Sequence, residues 1–273
     1  MTRTRRLSLA VATAAAAALA LAACSAGGNT GSDGTVTDGK LTIATGQPAY
    51  SPWVEDDDPQ SGKGFESAVA YAVAKEMGYA KGDVVWKRST FDSAIAPGPK
   101  DWDLNVQQFS IDAKRKKAVD MSTPYYTTTQ AVVTTKDSKA AKDTTVAALQ
   151  GDTIGVASGS TSISSVKDVL GVTPQVFNSN DDAVLALKSG QIDAIVTDLP
   201  TAFYMSAAQL DDGTVSAQFP EDGSGDQFGF VLPKGSALTS KVDEALKALE
   251  RDGTLADLQT KWLSSETNTP VLK

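Results

Sequence analysis

The run Gln108-Phe109-Ser110-Ile111-Asp112-Ala113-Lys114-Arg115-Lys116-Lys117 has the residue types and spacing to capture an anion. Residues 103–107 before it read as a strand and residues 113–119 as a short helix. A strand feeding a helix through a polar turn leaves backbone N–H groups free at the strand's carboxyl end, where open α/β sheets hold ligands. A guanidinium beside those groups grips a carboxylate through two parallel hydrogen bonds. Taken alone, Lys114 to Lys117 also fits an ordinary solvated basic face. A second turn, Ala157-Ser158-Gly159-Ser160-Thr161, follows a strand at 153–156 and opens a helix toward Leu170. A helix N-terminus with capping hydroxyls is again an anion site, although a plain cap explains one hydroxyl without any ligand. Finally, the apolar strand Ile192 to Thr197 delivers Asp198 at its carboxyl end, where it also fits as the cap of a helix at 201–209.

The composition removes other chemistries. There is no histidine, which excludes Ser-His-Asp and Cys-His nucleophile pairs and the usual zinc sites. No metal or cofactor is expected, while acids such as Asp58 and Asp198 leave a carboxylate mechanism open. The formal net charge is −8, and the first 23 residues hold Arg3, Arg5 and Arg6 with no acid, so the remainder is more acidic still. Nucleic-acid binding needs the opposite balance. The only cysteine, Cys24, rules out an intrachain disulfide.

Cys24 ends a leader: three arginines, an apolar alanine-rich run to Ala20, then Leu21-Ala22-Ala23-Cys24. The run is too short for a spanning helix and ends in small residues, as a secretory signal peptide does. Leu-Ala-Ala-Cys resembles the bacterial lipobox, which implies cleavage before Cys24 and lipidation of its thiol. Thr4-Arg5-Arg6-Leu7 weakly resembles a twin-arginine signal, so the export route stays open. Residues 24–39 are rich in Gly, Ser, Thr, Asn and Asp and read as a flexible tether.

From Lys40 to Leu263 the chain resembles the polar amino-acid-binding proteins of ABC importers, the type II periplasmic binding proteins. The signature S/T-I-T-x-x-R…D-F-S-x-P-Y-Y stands here as Ser110-Ile111-Asp112-Ala113-Lys114-Arg115, then Val119-Asp120-Met121-Ser122-Thr123-Pro124-Tyr125-Tyr126. The resemblance implies that Arg115 clamps a ligand α-carboxylate, helped by donors from Ser160 and Thr161, and that Asp198 holds the α-ammonium. Gln108 and Ser110 are implied as further polar contacts. Tyr50 and Trp53, on the loop after the first strand, and Phe91 are implied as aromatic covers, with lobe sealing and core packing as the alternatives. The family often has an acid or polar residue where Gly46 stands, so its absence speaks against a basic ligand side chain. Asp112 replaces the family's usual threonine: it either caps the following helix or pairs with Arg115 and competes with the ligand.

The elements that must position these groups follow a repeating plan. Residues 40–45, 84–86, 103–107, 153–156, 192–197, 214–219 and 228–232 read as strands. Helices are expected from Gly64-Phe65-Glu66 to Gly78, at 91–96, from Asp181 (as cap) to Gly190, at 236–251 and at 255–263. Asp103 to Gln108 and Asp193 to Asp198 echo one another, each starting at Asp, running apolar and ending polar. The echo suggests two lobes of like plan, and the resemblance implies an α/β fold with two lobes, each a mixed, mostly parallel sheet flanked by helices. Lobe 1 is assigned 40–127 and 229–273, lobe 2 132–226, and a two-strand hinge 128–131 and 227–228, with the tail after Ser264 loose. Both lobes touching one zwitterion would make closure ligand-dependent. The function expected is capture of an amino acid by a monomeric, lipid-anchored extracytoplasmic protein that hands it to an importer permease. The alternatives are a periplasmic dehydratase, which would need a general acid and offers only Asp112 as a tempting candidate, and a ligand sensor that signals without transport.

Overall fold

The computed structural model describes residues 34–220, 226–263 and 269–273. The leader, Cys24 and most of the tether lie outside the described residues. Strand β1 (Leu41–Thr45) is buried along its whole length, as a strand covered on both faces must be. Helix α1 (Phe65–Glu76) follows, then β2 (Val84–Arg88), α2 (Phe91–Ile95) and β3 (Leu104–Asn105). Beyond them come α3 (Arg115–Ala118) and β4 (Asp120–Met121). Strands β2 and β3 flank β1 in parallel register.

The β-branched run 127–135 is divided between two strands. β5 (Tyr126–Thr128) belongs to a small two-stranded sheet, and β6 (Gln130–Thr135) enters a different one. Helix α4 (Val146–Leu149) then precedes β7 (Ile154–Ala157), α5 (Ser162–Ser165), β8 (Gln175–Phe177), α6 (Asn180–Lys188), β9 (Ala194–Asp198) and α7 (Leu199–Tyr204). After β10 (Gly213–Gln218), the chain returns through β11 (Asp226–Phe228) and β12 (Val231–Leu232) to α8 (Thr239–Arg251) and α9 (Thr254–Leu263).

Two five-stranded sheets result, ordered β2-β1-β3-β12-β4 and β10-β6-β9-β7-β8. Each has apolar clusters on both faces. In the first sheet, Phe65, Val69 and Val73 of α1, Val242, Leu246 and Leu249 of α8, and Phe230 lie on one face. Ala44, Ala94, Trp102, Phe109 and Val231 lie on the other. In the second sheet the corresponding clusters centre on Leu149, Val156, Val166 and Val196, and on Val133, Ala183, Leu187, Ile195 and Met205. The chain thus folds as two lobes of like plan, and β5 pairs antiparallel with β11 between them.

The tail departs from expectation. Residues 269–273 do not belong with the first sheet: Gln218 donates to Pro270 and accepts from Leu272, Val146 donates to Lys273, and Leu272 is buried in the second lobe's core. Leu272 turns inward while Val271 stays exposed, and this one buried side chain docks the tail on the sheet edge beside Gln218. No helix among the described residues is long and apolar enough to cross a membrane.

Candidate functional site

A hollow of about 310 Å³ opens between the lobes, bordered by Arg115, Ser110, Gln108, Phe91, Tyr50 and Trp53 from the first and by Ser160, Thr161 and Asp198 from the second. Asp112 is the one expected contact that does not border it. Arg115 owes its position to the turn before α3. Asp112 Oδ1 accepts from the backbone N–H of Lys114 at 2.6 Å and of Arg115 at 2.9 Å, while its Oδ2 lies 3.4 Å from Arg115 Nε. Asp112 thus contacts the turn's N–H groups with one oxygen and Arg115 with the other, and its carboxylate faces its own turn.

The Arg115 guanidinium is almost wholly buried. It donates to Ser110 O at 2.6 Å within its own lobe and to Gly159 O at 2.8 Å across the gap, and lies 5.3 Å from the centre of the Phe91 ring. Burial pulls its pKa down, and Asp112, Asp226 and Asp198 oppose that, so the guanidinium stays charged. Gly159 has φ +70°, and a Cβ there would stand 2.6 Å from Asp92 Oδ1 and 3.4 Å from the Phe91 ring. A glycine is what lets the second lobe's turn come this close to the first lobe.

Facing the arginine is an acidic group. Gln130 Nε2, on β6, donates both to Asp198 Oδ1 at 2.7 Å and to Asp226 Oδ2 at 2.8 Å, and Ser162 holds the other end of that amide. Asp198 occupies the N-cap position of α7 yet makes no capping bond, which leaves its side chain for the hollow. Enclosure first, and the charge of Asp226 second, hold its carboxyl well above the usual range. Thr161 Oγ1 donates to Asp226 at 2.7 Å and lies 3.1 Å from Ser110 Oγ. The hydroxyl of Ser160 is spent inside its own turn, donating to Ala157 O at 2.7 Å. Asp226 gives no signal in the sequence because β11 carries no local motif.

Behind Gln108 lies a residue expected only to begin a core helix. Glu66 is fully buried, and its carboxyl accepts from the Gln108 N–H at 2.7 Å, from the Gln108 side-chain amide and from the Tyr125 hydroxyl. These bonds hold Gln108 in a left-handed conformation, φ 50°, which aims the segment leading to Ser110. Burial raises the Glu66 pKa from 4.5 to about 7, against the hydrogen bonds, which lower it. The folded protein therefore keeps this proton over a range in which the unfolded chain has released it. Its contribution to stability is complete below pH 4.5 and disappears as pH rises to about 7, a loss of about 3 kcal/mol. Urea titrations of wild type and Glu66→Gln at about pH 4.5 and about pH 7.5, on either side of that window, should show that difference between the two profiles; parallel profiles would disprove it.

At the aromatic end, Trp53 is buried against Phe65, Tyr126 and Phe228 and its Nε1–H donates to Thr201 Oγ1 at 3.0 Å across the gap. It seals its lobe and borders the hollow at once. Tyr50 stacks on Tyr204 at 5.3 Å and donates to Asp181 Oδ2 at 2.8 Å. Asp181 is not the cap of α6: Ser179 is, accepting from the Asp182 N–H at 3.1 Å. The acid is thus freed to border the hollow. Phe91 packs on Phe109 at 4.8 Å and also borders the hollow. Among the described residues no group of three or more acid, cysteine or histidine side chains could hold a metal ion.

Comparison with known proteins places this geometry. Residues 41–265 match the model of the bacterial extracellular solute-binding proteins, family 3. The arginine-binding extracellular protein ArtP of Bacillus subtilis (strain 168) is 32% identical over 252 residues, 89% of this chain and 92% of that protein. The ABC transporter arginine-binding protein 1 of Escherichia coli (strain K12) is 29% identical over 205 residues, 73% of this chain and 81% of that protein. Among solved structures, an ancestral arginine-binding protein bound to arginine superposes with a TM-score of 0.68 at 30% identity, covering 82% of this chain and 98% of that one.

Proposed function

The chain belongs to the bacterial extracellular solute-binding proteins, family 3, and from that premise we propose that the hollow takes the two charged ends of an α-amino acid. Arg115 receives the α-carboxylate, with Thr161 and Ser110 helping once their hydroxyls turn from Asp226 and from each other, and Asp198 takes the α-ammonium, with Asp226 behind it. Tyr50, Trp53 and Phe91 cover the remainder, and Gln108 and Ser160 shape the wall. The observation that carries this reading is that Arg115 and Asp198 border one hollow from opposite lobes. A solute touching both stabilises the closed arrangement over the open one, the differential contact that hinge closure requires. The closed lobes then present the cargo to an importer permease. Lipidation at Cys24, residence on the outer face of the cell membrane and a monomeric state complete the reading.

Catalysis is not part of it. A general acid must reach a reacting atom; Glu66 is enclosed by Gln108 and Tyr125, Asp112 is turned to its own helix, and this reading gives Asp198, which does border the hollow, to the ligand's ammonium. A thermal-shift screen of the standard amino acids tests the proposal. A ligand at about a thousand times its Kd adds about 4 kcal/mol, so a true ligand should raise the melting temperature by several degrees. No shift with any of them, confirmed by calorimetry, would end the reading.

A further inference from the structure

A zwitterion's two charged groups satisfy one end of the hollow and leave the other unaccounted for. The sheet order β9-β7-β8 puts the turn carrying Asp198 at the end of β9 and the segment carrying Asp181 after β8, two strand spacings away, about 10 Å. Arg115 has Asp112, Asp226 and Asp198 as its electrostatic neighbours; Asp181 instead faces Tyr50, Tyr204 and Gln209. Among the described residues, Arg115 is the only basic one bordering the hollow, against Asp181 and Asp198, so the cavity wall has an uncompensated negative charge at its far end.

The surroundings of Asp181 orient it and leave it open. Each oxygen accepts one bond from a neutral donor, Tyr50 Oη–H at 2.8 Å and Gln209 Nε2–H at 2.9 Å. A carboxylate has room for about four, and among the described residues no lysine or arginine forms an ion pair with it. The stacked rings of Tyr50 and Tyr204 stand beside it, and aromatic faces attract cations. Gly46, on the facing loop, supplies no charge, and a Cβ there would fall 2.7 Å from Gln107 Nε2.

We propose, resting on the amino-acid reading above, that Asp181 determines specificity by pairing with a cationic side-chain terminus, a guanidinium or an ammonium, of the bound amino acid. The acid absent at Gly46 in the first lobe is supplied here from the second.

Calorimetry with L-arginine and with L-citrulline, its neutral isostere, tests this on the wild type and on Asp181→Asn. Wild type should prefer arginine by about 10- to 100-fold, the value of a charge-assisted pair. In Asp181→Asn the preference should fall to near unity, through loss of arginine affinity and not gain of citrulline. Equal affinity of the wild type for the two ligands overturns the proposal and needs no variant; so does a preference for arginine that survives in Asp181→Asn. Binding of some other neutral amino acid, with neither of these two bound, overturns it while leaving the amino-acid reading intact. Binding of no amino acid at all defeats both.

Discussion

Replacing Arg115 with alanine should weaken amino-acid binding by about 2–5 kcal/mol, roughly one to four orders of magnitude in Kd. The size follows from burial. The guanidinium is 6% exposed, so a carboxylate bound against it is withdrawn from water and depends on the charge that remains. Without the guanidinium, the hollow has no cation of the protein's own to face the ligand carboxylate, while Asp198 and Asp226 remain beside it. The carbonyls of Ser110 and Gly159 lose their donor as well. Arg115→Lys keeps the charge and loses the planar fork, and should recover only part of the affinity. Titration calorimetry at equal ionic strength reads both variants, and unchanged affinity in Arg115→Ala would remove Arg115 from the site.

Asp198→Asn should lower affinity comparably while making the protein without ligand harder to melt. Its carboxyl is held above the usual range by enclosure and by Asp226, so at neutral pH the ionised form costs folding free energy. A neutral amide avoids that cost and can still accept from Gln130. For a raised acid the sign is definite: the penalty on wild type grows as pH rises above the unfolded value and vanishes as pH falls below it. The variant's gain should therefore be largest at about pH 7.5 and shrink toward about pH 4. Stability gained with binding lost is the signature of a functional acid. A variant that both melts earlier and binds normally would point to a structural role instead.

The elements and the Arg115 end of the hollow are readable because their signals are local. Arg115 sits a few residues after a strand, and Ser160 and Thr161 sit in a small-residue turn after another. Apolar periodicity places α1 and α8 closely. What is not readable depends on the two lobes meeting. Tyr50 and Asp181 are 131 positions apart and Trp53 and Thr201 are 148, so no spacing rule links them. Asp181 reads as a helix cap, but Ser179, two residues earlier, is an equally good one and only packing decides between them. Glu66 follows Phe65 at the start of an apolar stripe, where an acid in the first turn is ordinary. Its partners Gln108 and Tyr125 arrive from distant segments. The tail misleads through its shortness: Pro270-Val271-Leu272-Lys273 is too brief to show a periodicity, yet Leu272 is buried in the second core.

That tail changes how the molecule can be observed. Thr37 pairs with Lys40 at the threshold of the first sheet, whereas Lys273 is fastened beside Val146 in the second. Thr37 and Lys273 consequently belong to different lobes. Dyes attached at these ends form a built-in gauge of their separation, and a fusion placed after Lys273 travels with the half opposite to the one that Thr37 enters.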